Sequence, residues 1–366
     1  MSTAARSRLP RLFLLAVVSI AAAVAPGFFT PTEGSRAREK LESARLMERG
    51  MSAIRQAKAE QGVAVDPGDD PNATGLIGAE FTAITTTLGP LEAKRTSTNP
   101  AFAAVVVEML AEAGVRRGDL IAAGFSGSFP ALNLSVLAAA AAMGCDLHAI
   151  TSITASTYGA TDPFMTWLAM ESALSRAGVF QFRSIAASPE GSEGVLDDHL
   201  FPGAYELAEQ AVKRNEIPLI ARKGFSANVR ARMEAYTASA GGRRIAAFVN
   251  VGGAAYNLGL CADVWRVRSG LVETLPPCPE ESKGVIFRMA ETGMPVINLL
   301  NVKDLAARYG LPIDPSPLPA LGEGAVFRAR RFPFAALASL LFLVAVLSGY
   351  AMWEVKRGFR EARPGL

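Results

Sequence analysis

The residues best suited to chemistry lie in "GFSGSFPALN", where Gly124, Ser126, Gly127 and Ser128 follow an apolar run and precede a helical pattern. In an open parallel sheet, ligands collect beyond the carboxyl ends of the strands, where helix N-termini present N–H groups without partners. Small residues let the backbone approach a ligand, and the two hydroxyls add hydrogen-bond donors. This corner therefore predicts a site for an anion such as a carboxylate or a phosphate, with a simple chain turn as the alternative.

Three other segments are expected to complete that pocket. "ITTTLGPLEAKRTSTNP" is rich in hydroxyls and carries an adjacent cation pair, although a loop with local side-chain turns is an alternative interpretation. "TASTYGATDP" and "NVGGAAYNLG" each follow a strand-like run, so both are expected at the same edge of the sheet. The residues that we expect beside the corner are Thr86, Lys94, Arg95, Ser156 and Asn250.

A covalent role for Ser126 is a second hypothesis, because G-x-S-x-G after a strand is the nucleophile turn of many hydrolases. The fifth position here is Ser128, which departs from that pattern. Ser126 would need His148 or His199 with an aspartate behind it, or Lys94 as the base.

Apolar runs without period-two alternation are separated by helical patterns, which predicts strands buried on both faces. The expected strands are 76–85, 119–125, 146–154, 182–188, 244–253 and 295–300. The expected helices are 36–60, 101–114, 130–144, 164–178, 204–215 and 226–242, with Asn99-Pro100 and Asp162-Pro163 as start signals. The fold class that follows is α/β, a doubly wound and mostly parallel sheet with helices on both faces.

Several classes of function are not indicated. No G-x-G-x-x-G opens a helix and no phosphate-binding P-loop is present, so no cofactor is expected. Cys145, Cys261 and Cys278 are widely spaced, and with only two histidines they indicate neither a metal site nor a disulfide framework. The net charge of +3 is not that of a nucleic-acid-binding protein, although residues 213–244 are locally basic.

The two ends of the chain are apolar. Residues 12–29 and 332–353 are runs of 18 and 22 residues without a charge, each about long enough to cross a hydrocarbon core of roughly 30 Å. We expect two membrane anchors, with a cleaved signal peptide as the alternative for the first. Basic residues outside both runs predict cytoplasmic termini and an extracytoplasmic main domain at the bacterial cytoplasmic membrane. The expected domains are an anchor at 1–32, a helical stalk at 33–64, an α/β domain at 65–327 and a transmembrane helix with a basic tail at 328–366.

"DDPNATGLIGAEFTAITTTLGPLEAKRTSTNPAFAA", followed by "GFSGSFPALN", "TSITASTYGA" and "TWLAMESAL", resembles the bacterial poly-gamma-glutamate system protein family over most of residues 65–305. The resemblance implies a membrane-anchored accessory protein of poly-gamma-glutamate synthesis or export. The implied partners are the polymer, other membrane subunits of the synthase system and the lipid bilayer, without nucleic acid. Three hypotheses follow: binding of the anionic polymer, serine-dependent cleavage or transfer of gamma-glutamyl bonds, and a non-catalytic scaffold.

Overall fold

The structure is a computed structural model. It describes residues 32–33, 36–189, 203–329, 341, 344–350, 352–353 and 356–357. Residues 36–327 form one compact unit, and the two terminal segments form a second. In the terminal unit, the short strands Thr32–Glu33 and Arg328–Ala329 pair in antiparallel fashion.

Helices and strands alternate along residues 36–327. The helices are α1 (Ala37–Glu60), α2 (Leu91–Ser97), α3 (Ala101–Glu112), α4 (Pro130–Met143), α5 (Trp167–Arg176), α6 (Ala204–Arg214), α7 (Phe225–Ala240), α8 (Ala255–Leu258), α9 (Val285–Glu291) and α10 (Val302–Tyr309). The strands are β1 (Leu120–Ser126), β2 (Asp146–Ser152), β3 (Ala186–Ser188), β4 (Ile245–Val251), β5 (Gly270–Leu271) and β6 (Val296–Leu299).

The six strands form one sheet in the order β3-β2-β1-β4-β6-β5. Only β5 runs antiparallel to its neighbour, so the mostly parallel α/β sheet expected from the sequence is confirmed. Ser126, Ser152 and Ser188 are in register across three neighbouring strands. The carboxyl ends of these strands therefore meet at one edge, where the polar corner was expected.

Both faces of the sheet are buried. Phe125 points into the larger core, and Phe248 points into a second core on the opposite face. Helix α1 belongs to the larger core, since Met47 and Ile54 on its buried side are fully shielded from solvent. The helix predicted over 36–60 is thus present, and it packs against α3, α4 and α5.

Two expected elements differ from the structure. Residues 76–85 are not a strand, because their backbone bonds irregularly to residues 155–158 and only Thr85 forms a β-bridge, with Ala155. Asp162 does not cap a long helix: its carboxylate accepts from the N–H groups of Phe164 and Met165 in a turn, and α5 begins at Trp167. In both places, local side-chain bonding and tertiary contacts outweigh the apolar pattern.

The expectation of no disulfide was wrong. Cys261 and Cys278 form a disulfide bond across 17 residues of sequence, with their Cα atoms 5.2 Å apart. The residues just after Cys278 return to the turn after α8, where the Leu260 N–H donates to the Ser282 carbonyl over 2.8 Å, so a wide spacing in sequence becomes a short distance in space. Cys145 is a free thiol.

Neither predicted membrane span is covered by the description. Residues 12–29 lie outside the described residues, and 332–353 are described only in part. Within the parts of the chain that the structure describes, no helix combines the length and apolar character needed to cross a bilayer.

Candidate functional site

The turn between β1 and α4 is held by its own backbone and by Asn133. The N–H of Phe129 donates to the carbonyl of Ser126 over 3.2 Å, and the Asn133 side-chain amide donates to the same carbonyl over 2.9 Å. A Cβ atom on Gly127 would lie 2.4 Å from the carbonyl oxygen of Ile153, so only glycine fits. The turn is therefore pressed closely against the segment that follows β2.

The two corner serines are engaged within the protein. The Ser128 N–H donates to Ser126 Oγ over 3.1 Å, and the Ser156 N–H donates to Ser128 Oγ over 3.0 Å. Both hydroxyls thus accept a bond from a backbone amide and fix the turn. As acceptors, each keeps its own hydrogen for another partner.

Lys94 reaches this corner from α2. Its side chain is buried, with the residue 2% exposed, and Nζ lies 2.7 Å from Ser156 Oγ. Nζ also donates to the Ser128 carbonyl and sits 3.9 Å from the centre of the Phe129 ring. The predicted meeting of Lys94, Ser128 and Ser156 is thus present in the structure.

Burial lowers the pKa of Lys94 to about 7 because the charged ammonium is removed from water. The surrounding oxygen atoms belong to a hydroxyl and a carbonyl, which carry no full charge. At neutral pH a large fraction of Lys94 is therefore the free amine, which can accept a proton from Ser156.

Gly89 lets the loop before α2 lie directly against Lys94 and Ser156. A Cβ atom at this position would lie 2.8 Å from Ser156 Oγ and 3.1 Å from Lys94 Cε. The Gly89 backbone bonds to the Thr157 hydroxyl in both directions, at 2.8 and 2.9 Å. Lys94 and Ser156 are both buried against this loop, so little of the pair is open to solvent.

The remaining predicted site residues contact other parts of the fold. Arg95 donates to the Asp69 carbonyl over 2.8 Å and pairs with Asp314 at 3.4 Å. Thr86 donates to the Ala155 carbonyl through its N–H and its hydroxyl. Each of these side chains is therefore engaged in holding loops around the corner.

The second face of the sheet holds Asn250 and Gly124, which are paired in register. The Asn250 amide donates to Asn298 Oδ1 over 2.8 Å and to the Gly252 carbonyl over 3.0 Å. A Cβ atom on Gly124 would lie 2.2 Å from Asn257 Nδ2. These contacts support the turn after β4.

The proposed partners of Ser126 are also accounted for where they are described. His148 bonds to the Ser239 hydroxyl at 3.0 Å, and His199 lies outside the described residues. Lys94 contacts Ser156 rather than Ser126. The sequence therefore did not predict which serine contacts Lys94. It did hold a signal that Lys94 and Arg95 do not share a pocket, because successive residues of a helix point in different directions.

Comparison with known proteins gives no assignment. No family model matches the chain, and no curated protein matches it. The crystal structure of O-ureido-L-serine synthase is similar over 59% of this chain and 68% of that chain, with 12% sequence identity and a TM-score of 0.17. A likeness of this size supports neither a shared fold nor a shared function.

Proposed function

We propose that the α/β domain carries a serine–lysine centre for acyl transfer, with Ser156 as the nucleophile and Lys94 as its general base. The observation that carries this proposal is the 2.7 Å contact between Lys94 Nζ and Ser156 Oγ in a site shielded from water. A base within hydrogen-bond reach of a hydroxyl, with a pKa near the working pH, is the arrangement that activates serine.

The reaction proceeds through an ester on Ser156. The Ser156 oxygen attacks the substrate carbonyl carbon while its proton moves to the neutral Lys94 amine. The resulting ammonium returns this proton to the leaving nitrogen as the carbon–nitrogen bond breaks. Water or an acceptor amine then attacks the ester, again giving its proton to Lys94, and Ser156 leaves with that proton. The Ser128 hydroxyl accepts from the Ser156 N–H and keeps its own hydrogen, so we propose it as a donor to the negative oxygen of the intermediate.

The substrate class comes from the family resemblance and not from the site. On that basis we propose that the protein is an accessory component of poly-gamma-glutamate synthesis or export and that the bond is a gamma-glutamyl amide. The two apolar terminal runs favour membrane anchoring, with the doubly wound domain outside the cytoplasm. The Cys261–Cys278 bond supports the same placement, because disulfides persist mainly in oxidising compartments.

Binding of the anionic polymer without chemistry is the second candidate. Exposed basic side chains such as Arg222, Lys223 and Arg230 favour it. Within the corner, however, the Lys94 ammonium is buried and already bonded to Ser128 and Ser156, so a carboxylate would have to displace these contacts. Arg232, in the same basic segment, is also buried and bonds to the Ser188 hydroxyl. The acyl-transfer hypothesis keeps the contact between Lys94 and Ser156, with the Ser156 hydroxyl donating to the neutral amine.

A fluorophosphonate probe and purified poly-gamma-glutamate test the proposal on the full-length chain in detergent. Wild type should be labelled on Ser156 and should release new amino groups from the polymer. Ser156→Ala should abolish both, and Lys94→Met should slow both by at least about 100-fold, the usual share of a general base.

Ser126→Ala is the matched control, since it removes a neighbouring hydroxyl that lacks the lysine contact. Equal labelling and cleavage by Ser156→Ala would refute the proposal. Salt-sensitive polymer binding without cleavage would instead favour the binding hypothesis, and capsule formation by Ser156→Ala in cells would favour a scaffold.

A further inference from the structure

A separate cavity of about 280 Å³ lies between the C-terminal end of α1 and the segments 78–82 and 159–165. Ser126, Ser128, Ser156 and Lys94 are not among its lining residues. The volume is close to the lower limit of ordinary small-molecule sites, which begin near roughly 300 Å³. A compact metabolite fits this space.

The cavity has a buried cation on one wall. Lys58 is 3% exposed, and its Nζ bonds to the Ile77 carbonyl at 3.3 Å. An ammonium group has three donors, so this one long bond leaves most of its capacity for other acceptors. Burial lowers the pKa of Lys58, and the negative charges of Asp70 and Asp162 oppose that effect only in part. An additional carboxylate beside Nζ would stabilise the ammonium further.

The same cavity has an anion and apolar surface. Asp162 lines it. Among the described residues, the N–H groups of Phe164 and Met165 donate to this carboxylate, and both bonds end at Oδ1. Oδ2 is the oxygen that can receive a ligand donor. Val63 and Ala79 supply apolar surface to the same lining. One cation, one anion and an apolar wall in a small volume match a molecule that carries both charges and a short side chain.

We propose that this cavity binds a free α-amino acid with an aliphatic side chain. Lys58 would hold the carboxylate, Asp162 would hold the ammonium group, and the side chain would lie against Val63 and Ala79. Thr82 and Thr161, which also line the cavity, are held by bonds to backbone carbonyls and fix its shape. The inference does not depend on acyl transfer at Ser156.

The test is binding of L-leucine to the full-length protein by calorimetry, preceded by a thermal-shift screen of the common L-amino acids. Two analogues separate the charges: 4-methylpentanoate lacks the ammonium group, and 3-methylbutylamine lacks the carboxylate. We expect L-leucine or another aliphatic amino acid to bind, and each analogue of it to bind at least about tenfold more weakly, a loss of about 1.4 kcal/mol.

Variants of Lys58 and Asp162 test which residue holds each charged group of the amino acid. Lys58→Met and Asp162→Asn should each weaken binding at least about tenfold. Lys40→Met is the matched control, because Lys40 is an equally buried lysine of α1 that pairs with Glu108 instead. Unfolding of each variant is checked by circular dichroism, and a misfolded Asp162→Asn is replaced by Asp162→Glu.

Three outcomes would overturn the proposal. The first is that no amino acid binds, in which case the charges of Lys58 and Asp162 serve only to neutralise each other. The second is that the carboxylate analogue binds as tightly as the amino acid. The third is that Lys58→Met binds like wild type. None of these outcomes bears on labelling of Ser156, so the two proposals succeed or fail separately.

Discussion

Two lysines of this domain, Lys40 and Lys94, are almost equally buried but have different partners. Lys40 pairs with the carboxylate of Glu108 and donates to the Val326 carbonyl over 2.9 Å. Lys94 meets the Ser156 hydroxyl and the Ser128 carbonyl, both uncharged. A carboxylate partner stabilises the ammonium form, whereas neutral oxygen atoms leave the cost of burying the charge largely uncompensated. Of the two lysines, only Lys94, with its neutral partners, fits the proposed role of a base.

The contrast between Lys94 and Lys40 is tested by removing each amine in turn. Lys94→Met should reduce the rate of Ser156 labelling by about 100-fold or more, because serine loses its proton acceptor. Lys40→Met should leave the rate per folded molecule unchanged. The measurement is labelling by the fluorophosphonate probe, normalised to the folded fraction. Equal losses in both variants would show that Lys94 acts only through stability.

A buried acid offers a second comparison, in stability. Burial raises the pKa of Glu171 to about 7. The N–H and the hydroxyl of Ser184 both donate to this carboxylate and oppose the rise. Because the folded-state pKa lies above the unfolded one, the folded state binds more protons between pH 4.5 and about 7. The free energy of unfolding should therefore fall as the pH rises through this window, by on the order of 3 kcal/mol.

Glu171→Gln checks this expectation. The variant cannot ionise at this position, so chemical denaturation should show a much smaller fall between pH 4.5 and 7. Lys94 acts in the opposite direction and in another window: its lowered pKa means that the unfolded state binds more protons between about 7 and 10.5, so stability should rise there. A wild-type curve that is flat across both windows would contradict both assignments.

The rate of Ser156 labelling should itself depend on pH. Only the neutral amine of Lys94 accepts a proton, so the rate should rise about tenfold per pH unit below pH 7 and level off above it. Lys94→Met should lose this rise, and Lys40→Met should keep it. A rise with the same midpoint in Lys94→Met would assign the titration to another group.

The smallest effect is expected at Ser126. Ser126→Ala removes the acceptor of the Ser128 N–H, and a lost bond of this kind costs about 1 to 3 kcal/mol of stability when the amide stays buried. The labelling rate should change little, since Ser126 lacks contact with Lys94. Urea denaturation measures the first quantity and the probe assay measures the second. A loss of rate as large as that of Ser156→Ala would restore Ser126 as the nucleophile.

The sequence predicted the sheet well where strands are fully buried. The runs at 119–125 and 244–253 became β1 and β4, because continuous apolar segments fit a sheet covered on both faces. It failed at 76–85, where bonding to residues 155–158 replaces a regular ladder. Helix α2 was also missed, since seven residues with two adjacent cations carry too short a pattern to recognise.

The residues around Lys94 were predicted in part, but their pairing was not. Lys94, Ser128 and Ser156 were all expected near one another, and the structure brings them together. Which serine meets the amine depends on the depth of α2 and on the approach of Gly89, neither of which local sequence encodes. The Cys261–Cys278 bond was missed for the same reason, because it depends on how distant turns pack.

The backbone at Gly159 and Ala160 has a wider consequence. Gly159 and Ala160 both line the Lys58 cavity, and the Ala160 N–H donates to the Gly127 carbonyl over 2.7 Å. A single layer of main chain thus separates the Lys58 cavity from the turn that carries Ser128. A ligand of the cavity that moved this segment would also move the Ser128 turn, and thermodynamic reciprocity would then require a ligand held at Ser156 to change affinity in the cavity by the same factor.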